Sequence, residues 1–212
     1  MTENKTEAPA RERTLLYTFA RCVVWLISHS FFPAVCRNRE RLDRMKAPFL
    51  LISNHISWYD PLVVAYFLKK YEIRFIAKKE LMSTPLTHYL LNKLHAFPVG
   101  RHEADMQAMR TSIKVLKEGH VLGIFPEGTR YSEGVMEQLE TGVALLALRG
   151  NVPIVPMWIA NKARLFRPIR CVIGEEIDIS DLRAEGLDKA VCEKVLARIT
   201  EAYARICQEG AK

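Results

Sequence analysis

Apolar residues along the chain fall into short blocks separated by charged stretches and turns. Phe49-Leu-Leu-Ile52 is an apolar run of the kind a buried strand makes. Ile73-Arg-Phe-Ile-Ala77, Ala96-Phe-Pro-Val99, Val121-Leu-Gly-Ile-Phe125 and Cys171-Val-Ile173 read as further strands. Helical patterns lie between them. Asp60-Pro61 reads as N-cap and first helical position, so a helix is expected from there through Leu68. Leu81 to Leu94 reads as a short helical region. A third helix carries Met106, Met109, Ile113 and Leu116 on one face and closes at Gly119. Thr141 to Leu148 is a helix stopped by Gly150-Asn151, and the tail from Leu187 to Ile206 repeats Leu187, Val191, Val195, Ile199 and Ile206 at helical spacing. Val152 to Ile159 is apolar, but Pro153 and Pro156 argue against a regular central strand there.

Alternating strands and helices give an α/β class, a single domain with a mixed sheet flanked by helices. Three stretches are expected. Residues 1–13 are polar and mixed in charge, and read as a disordered tail. Residues 14–46 read as an apolar helix and a basic segment that associate with a membrane. Residues 47–212 form the folded domain.

The N-terminal apolar stretch runs from Thr14 to Cys36 and is the most hydrophobic part of the chain. Arg21 interrupts it, which makes it a poor secretory signal. Its longest uncharged run, Cys22 to Cys36, is 15 residues, short of the roughly 20 a bilayer needs. As a helix it puts Thr14, Thr18, Arg21, Trp25 and Ser28 on one narrow stripe, with apolar residues around the rest. That pattern suits a helix lying in a membrane interface. Arg37 to Lys46 then holds five basic and two acidic residues, a cluster that anionic lipid attracts. The same residues also fit a core helix followed by a solvated loop.

Composition is ordinary for a globular protein of 212 residues, with 49% hydrophobic and 26% charged. The net charge of +7 points to an anionic partner. Nucleic acid, a membrane surface and a phosphorylated small molecule all fit that charge, but no nucleic-acid-binding motif is present. Five widely spaced cysteines without a C-x-x-C fit reduced thiols better than a disulfide framework or a zinc site.

Chemistry concentrates in the turn after Phe49–Ile52. His55 and Asp60 are five residues apart, a spacing that brings them together only across a turn. A neutral imidazole can take a proton from a hydroxyl near neutral pH, and a carboxylate on its other nitrogen fixes the tautomer and stabilises the imidazolium. Taken alone, the pair also fits a capping aspartate beside an unrelated surface histidine. Gly100-Arg101 and Glu127-Gly128-Thr129-Arg130 lie at or beyond other strand ends, where α/β sheets assemble sites. The guanidiniums suit bidentate binding of a phosphate. Each arginine also fits a plain surface ion pair.

Taken together these segments resemble the 1-acyl-sn-glycerol-3-phosphate acyltransferases of the glycerolipid acyltransferase superfamily. Asn54-His55 with Asp60 matches an N-H-x4-D motif. Phe97-Pro-Val-Gly-Arg101, Phe125-Pro-Glu-Gly-Thr-Arg130 and Val152-Pro-Ile-Val-Pro156 match three more in the family's order, over residues 54 to 156. The resemblance implies acyl transfer from acyl-CoA or acyl carrier protein to the sn-2 hydroxyl of lysophosphatidic acid, giving phosphatidic acid. It implies catalysis by His55 and Asp60, and a substrate site drawn from Asn54, Gly100, Arg101, Glu127, Gly128, Thr129 and Arg130. No metal or bound cofactor is implied. The apolar arm and the basic cluster after it, with substrates that partition to the membrane surface, place the chain on the cytoplasmic face of the cell membrane as an expectation, peripheral or monotopic. One departure stands out. Glu140 occupies a place where the family commonly has a lysine, which leaves other lyso-lipid acceptors open.

Overall fold

The computed structural model describes residues 30–57, 59–68, 70–78, 96–99, 104–127 and 139–211, with isolated positions elsewhere. Its described elements are β1 (Ala34–Arg37), α1 (Arg39–Arg44), β2 (Leu50–Ser53), α2 (Asp60–Phe67), β3 (Ile73–Lys78) and β4 (Phe97–Val99). They continue with α3 (Ala104–Lys117), β5 (Val121–Ile124), α4 (Thr141–Gly150), β6 (Ile154–Ile159), β7 (Ile169–Ile173), α5 (Ser180–Glu185) and α6 (Lys189–Ala211). The strands form one sheet in the order β1-β7-β6-β2-β5-β3-β4. Every pair is parallel except β6 with β7. The class is therefore α/β, one domain around a mixed sheet.

The sheet is covered on both faces, which explains why its central strands read as unbroken apolar runs. Along β2, Leu50 and Ile52 face a core shared with α3, α4 and α6. Phe49 and Leu51 face the opposite core, shared with α1 and α2. This is period-two alternation with both sides dry. All four of these side chains are almost wholly inaccessible to solvent, and each is worth roughly 1.5–3 kcal/mol of burial. Gly123 in β5 lies opposite Phe75 of β3. A Cβ there would approach the Phe75 ring to 2.5 Å and Ile73 to 2.7 Å, so the missing side chain makes room for the aromatic.

Two expectations are corrected. Ala34–Arg37 is a strand, not the end of an apolar helix, and it pairs with β7 from Ala34↔Ile169 to Arg37↔Val172. Its residues alternate between half-buried and exposed, which is edge-strand patterning too short to read from sequence beside so apolar a neighbour. The sheet therefore begins before residue 47, inside the stretch expected as a separate segment. The second correction concerns β6, a regular strand between β7 and β2 despite Pro156. Pro156 accepts from Gly174 N–H at 2.9 Å. Its ring nitrogen faces that same side, where β7 has already ended at Ile173. Only a bond just past the end of β7 is forgone.

Other boundaries follow the expected signals. Gly119 (φ 84) closes α3 and Asn151 (φ 48) closes α4, both in left-handed backbone. The expected residues 1–13, the apolar helix over most of 14–29 and the helical region at 81–94 fall mainly outside the described residues. No described helix is long and apolar enough to cross a membrane.

Candidate active site

β6, β2 and β5 are neighbours running in one direction, so the loops at their C-terminal ends meet. The loop after β2 carries Asn54 and His55, the loop after β5 carries Phe125 and Glu127, and β6 ends at Ile159.

Asp60 organises the turn. Its Oδ2 accepts the backbone N–H groups of Ile56 at 2.6 Å and Ser57 at 2.7 Å, and lies 2.8 Å from His55 Nδ1. One oxygen therefore fixes both the path of the loop and the plane of the imidazole. The expected N-cap role goes to Tyr59 instead. Asp60 sits in the first turn of α2 with its carboxylate turned back toward the loop, where the helix N-terminus favours negative charge. Asp60 is 1% exposed, whereas the His55 side chain is 20% exposed. With the carboxylate accepting from Nδ1–H, the imidazole carries its lone pair on Nε2. That is the tautomer a general base needs.

Aromatic packing supports the ring. Phe125 stacks on His55 with centroids 4.3 Å apart and planes at 26°. Phe75 stacks on Phe125 in turn, at 5.9 Å and 9°. A continuous pile thus runs from the vacancy over Gly123 to the imidazole.

Asn54 and Glu127, both expected on the substrate, are buried at 2% and 4% exposure and hold the protein's own backbone. Asn54 Nδ2 donates to Ile159 O at 2.9 Å, and its Oδ1 accepts from Ile159 N at 2.7 Å. This clamps the β2 loop to the end of β6. Glu127 Oε2 accepts from His55 N at 3.1 Å, and Oε1 accepts from Met136 N at 2.9 Å. Gly100, Arg101, Gly128, Thr129 and Arg130 lie outside the described residues. Among the described residues no group of three or more His, Cys, Asp or Glu is placed to hold a metal ion.

Sequence reasoning did not find Tyr203. Its buried hydroxyl reaches Ile52 O at 2.7 Å and Met157 O at 3.0 Å, so α6 braces the two strands that carry the Asn54 clamp. Burial pushes the Tyr203 phenol well above its usual range. Nothing in the tail's helical repeat distinguishes this tyrosine from any other core aromatic. The aromatic pile was equally hidden, although Phe125 itself begins the Phe-Pro-Glu-Gly-Thr-Arg stretch.

The Acyltransferase family model matches residues 34–160. The 1-acyl-sn-glycerol-3-phosphate acyltransferase of Bacillus subtilis is 34% identical over 77% of this chain and 85% of its own. That of Streptococcus pneumoniae is 29% identical over 92% of this chain and 74% of its own. The crystal structure of the 1-acyl-sn-glycerophosphate (LPA) acyltransferase PlsC from Thermotoga maritima shares the fold, with a TM-score of 0.64 over 93% of this chain and 79% of that one, at 21% identity. With the family model covering more than half its length, the chain belongs to the acyltransferase family, among the 1-acyl-sn-glycerol-3-phosphate acyltransferases.

Proposed function

We propose that this chain is a 1-acylglycerol-3-phosphate O-acyltransferase that makes phosphatidic acid for phospholipid synthesis. It transfers a fatty acyl group from a thioester to the sn-2 hydroxyl of lysophosphatidic acid. The observation that carries this reading is the 2.8 Å contact between His55 Nδ1 and buried Asp60 Oδ2, in a chain of this family.

His55 Nε2 takes the hydroxyl proton as the acceptor oxygen attacks the thioester carbonyl. Asp60 stabilises the imidazolium that forms. The tetrahedral intermediate collapses with loss of the C–S bond, and the departing thiolate recovers the proton from His55. Transfer is direct. Ser53, two residues before His55, is 1% exposed and turned to Asn54 O, and Ser57 Oγ accepts from Tyr59 N at 3.3 Å, so neither is paired with the imidazole as a covalent nucleophile would be. Asn54 and Glu127 hold the loop rather than the ligand. Arg101 and Arg130, with Gly100, Gly128 and Thr129 beside them, are the groups proposed to take the acceptor phosphate.

The donor is acyl-CoA or acyl carrier protein. The chain works on the cytoplasmic face of the membrane as a peripheral or monotopic protein, a reading supported by the apolar 14–33 stretch and the basic residues after it. Acylation of a different lyso-lipid is favoured by one observation. Glu140 N bonds Pro126 O at 2.9 Å, which brings an exposed carboxylate-bearing residue beside the Glu127 loop. Purified full-length protein given lysophosphatidic acid, other lysophospholipids and both thioester classes tests the reading. Phosphatidic acid as the main product supports it, and turnover only on another acceptor overturns the assignment.

A further inference from the structure

The connection from β6 to β7 leaves the sheet at Ile159, the residue that Asn54 clamps beside His55. It is a built loop. Asn161 Oδ1 accepts from Arg170 N at 2.9 Å, and its Nδ2 donates to Pro168 O at 3.0 Å. Arg167 N donates to Arg164 O at 3.0 Å and closes a four-residue turn. The tip of that turn is Leu165-Phe166, and the two are 58% and 67% exposed. Phe166 has φ 57, a left-handed backbone in the third turn position, where glycine or asparagine is usual. An aromatic held there is strained, and its ring projects into solvent.

Apolar surface continues from the tip toward the site. Phe166 N donates to Phe31 O at 2.7 Å, the two rings lie 6.0 Å apart, and Phe31 is itself 46% exposed. Phe32, next in the chain, packs against Tyr59 at 5.0 Å, and Tyr59 sits in the turn between His55 and Asp60. Charge surrounds this ridge. Lys162, Arg164, Arg167 and Arg170 are exposed, and none of them is in an ion pair with a described residue. No Asp or Glu occurs between Glu140 and Glu175.

We infer that the β6–β7 loop is a second membrane contact, in which Leu165 and Phe166 enter an anionic lipid surface and the flanking basic residues bind its headgroups. Exposed apolar side chains ringed by cations on a rigid turn are complementary to such an interface. A second copy of this chain would set like charges against each other. An acidic carrier protein matches the charge but not the apolar tip, which adjoins Phe31. The contact would dock the mouth of the site on the surface beside Phe31 and Phe32, which link the loop to the turn that carries His55. This inference rests on the reading that the chain acts at a membrane. It is tested with neither acceptor nor donor present, so failure of the acyltransferase assay leaves it standing.

Full-length wild-type protein, F166G, L165S/F166S and R164Q/R167Q are sedimented with vesicles of phosphatidylcholine alone or with added phosphatidylglycerol. F166G relieves the left-handed strain, so its melting temperature should hold or rise while its partitioning falls. L165S/F166S should lose roughly tenfold or more on both vesicle types. R164Q/R167Q should lose roughly fivefold per charge on the anionic vesicles only. Wild-type partitioning by F166G overturns the proposal. So does unchanged vesicle binding by L165S/F166S and R164Q/R167Q, which would leave the loop without a lipid contact. A changed sedimentation mass in the absence of vesicles would make it a self-association surface and overturn the proposal as well.

Discussion

Glu127 accepts the backbone N–H of His55 at 3.1 Å, so the carboxylate after β5 holds the loop after β2 in place. Its other oxygen holds Met136 N at 2.9 Å. Glu127→Gln keeps the shape but turns an amide N–H toward one of two backbone donors. A hydrogen bond to a charged, buried group is worth about 1.5–3 kcal/mol. The expected result is a drop in kcat on the order of tenfold, with the KM for lysophosphatidic acid little changed. Steady-state kinetics separate this from a substrate contact, whose loss would appear in KM.

Gly123 bears on the imidazole through two intervening rings. A Cβ there meets the Phe75 ring at 2.5 Å, and Phe75 stacks on Phe125, which stacks on His55. Gly123→Ala is expected to cost about 1–3 kcal/mol of stability by overpacking. Activity should fall further than the folded fraction explains, because the displaced rings carry His55. Thermal unfolding and kcat measured on one preparation check both halves.

Arg101→Ala and Arg130→Ala are expected to weaken recognition of the phosphate. Each charge-assisted contact is worth about 1.5–3 kcal/mol, or roughly 10- to 150-fold. The loss should be larger for lysophosphatidic acid than for an acceptor without a phosphate monoester. Equal losses on both acceptors would assign these arginines to structure or to the acyl donor.

Burial pushes the Cys36 thiol up to about 12, and Cys171 beside it on β7 is raised as well. The thiolate is the reactive form. Iodoacetamide should therefore leave both unmodified in the folded protein from pH 7 to pH 9, and modify them once the chain is unfolded. Peptide mapping after alkylation reads this directly. Rapid modification of Cys36 in folded protein would mean that β1 is not held on the sheet edge.

The strands β2, β3, β4, β5 and β7, and the helix ends at Gly119 and Asn151, were legible because both rest on local signals: apolar runs and left-handed caps. The His55–Asp60 pair was legible because its partners lie within one turn. β1 was not, since edge pairing with a strand more than 130 residues away leaves no mark on the four residues Ala34-Val-Cys-Arg37. Pro156 misled for a related reason. Whether a missing donor matters depends on where the neighbouring strand ends, which local sequence does not contain. The roles of Asn54 and Glu127 depend on Ile159 and Met136, again partners set by the fold. A motif shows that such residues matter without showing what they touch.

The central claim is that His55 acts as a general base oriented by Asp60. The most direct test compares kcat of purified wild-type, His55→Ala and Asp60→Asn proteins on lysophosphatidic acid with a saturating acyl thioester, each checked for wild-type folding by circular dichroism. The expected result is phosphatidic acid from the wild type, with turnover lowered by roughly 10²–10⁴-fold in His55→Ala and nearly as far in Asp60→Asn. A folded His55→Ala protein that turns over at the wild-type rate would contradict it.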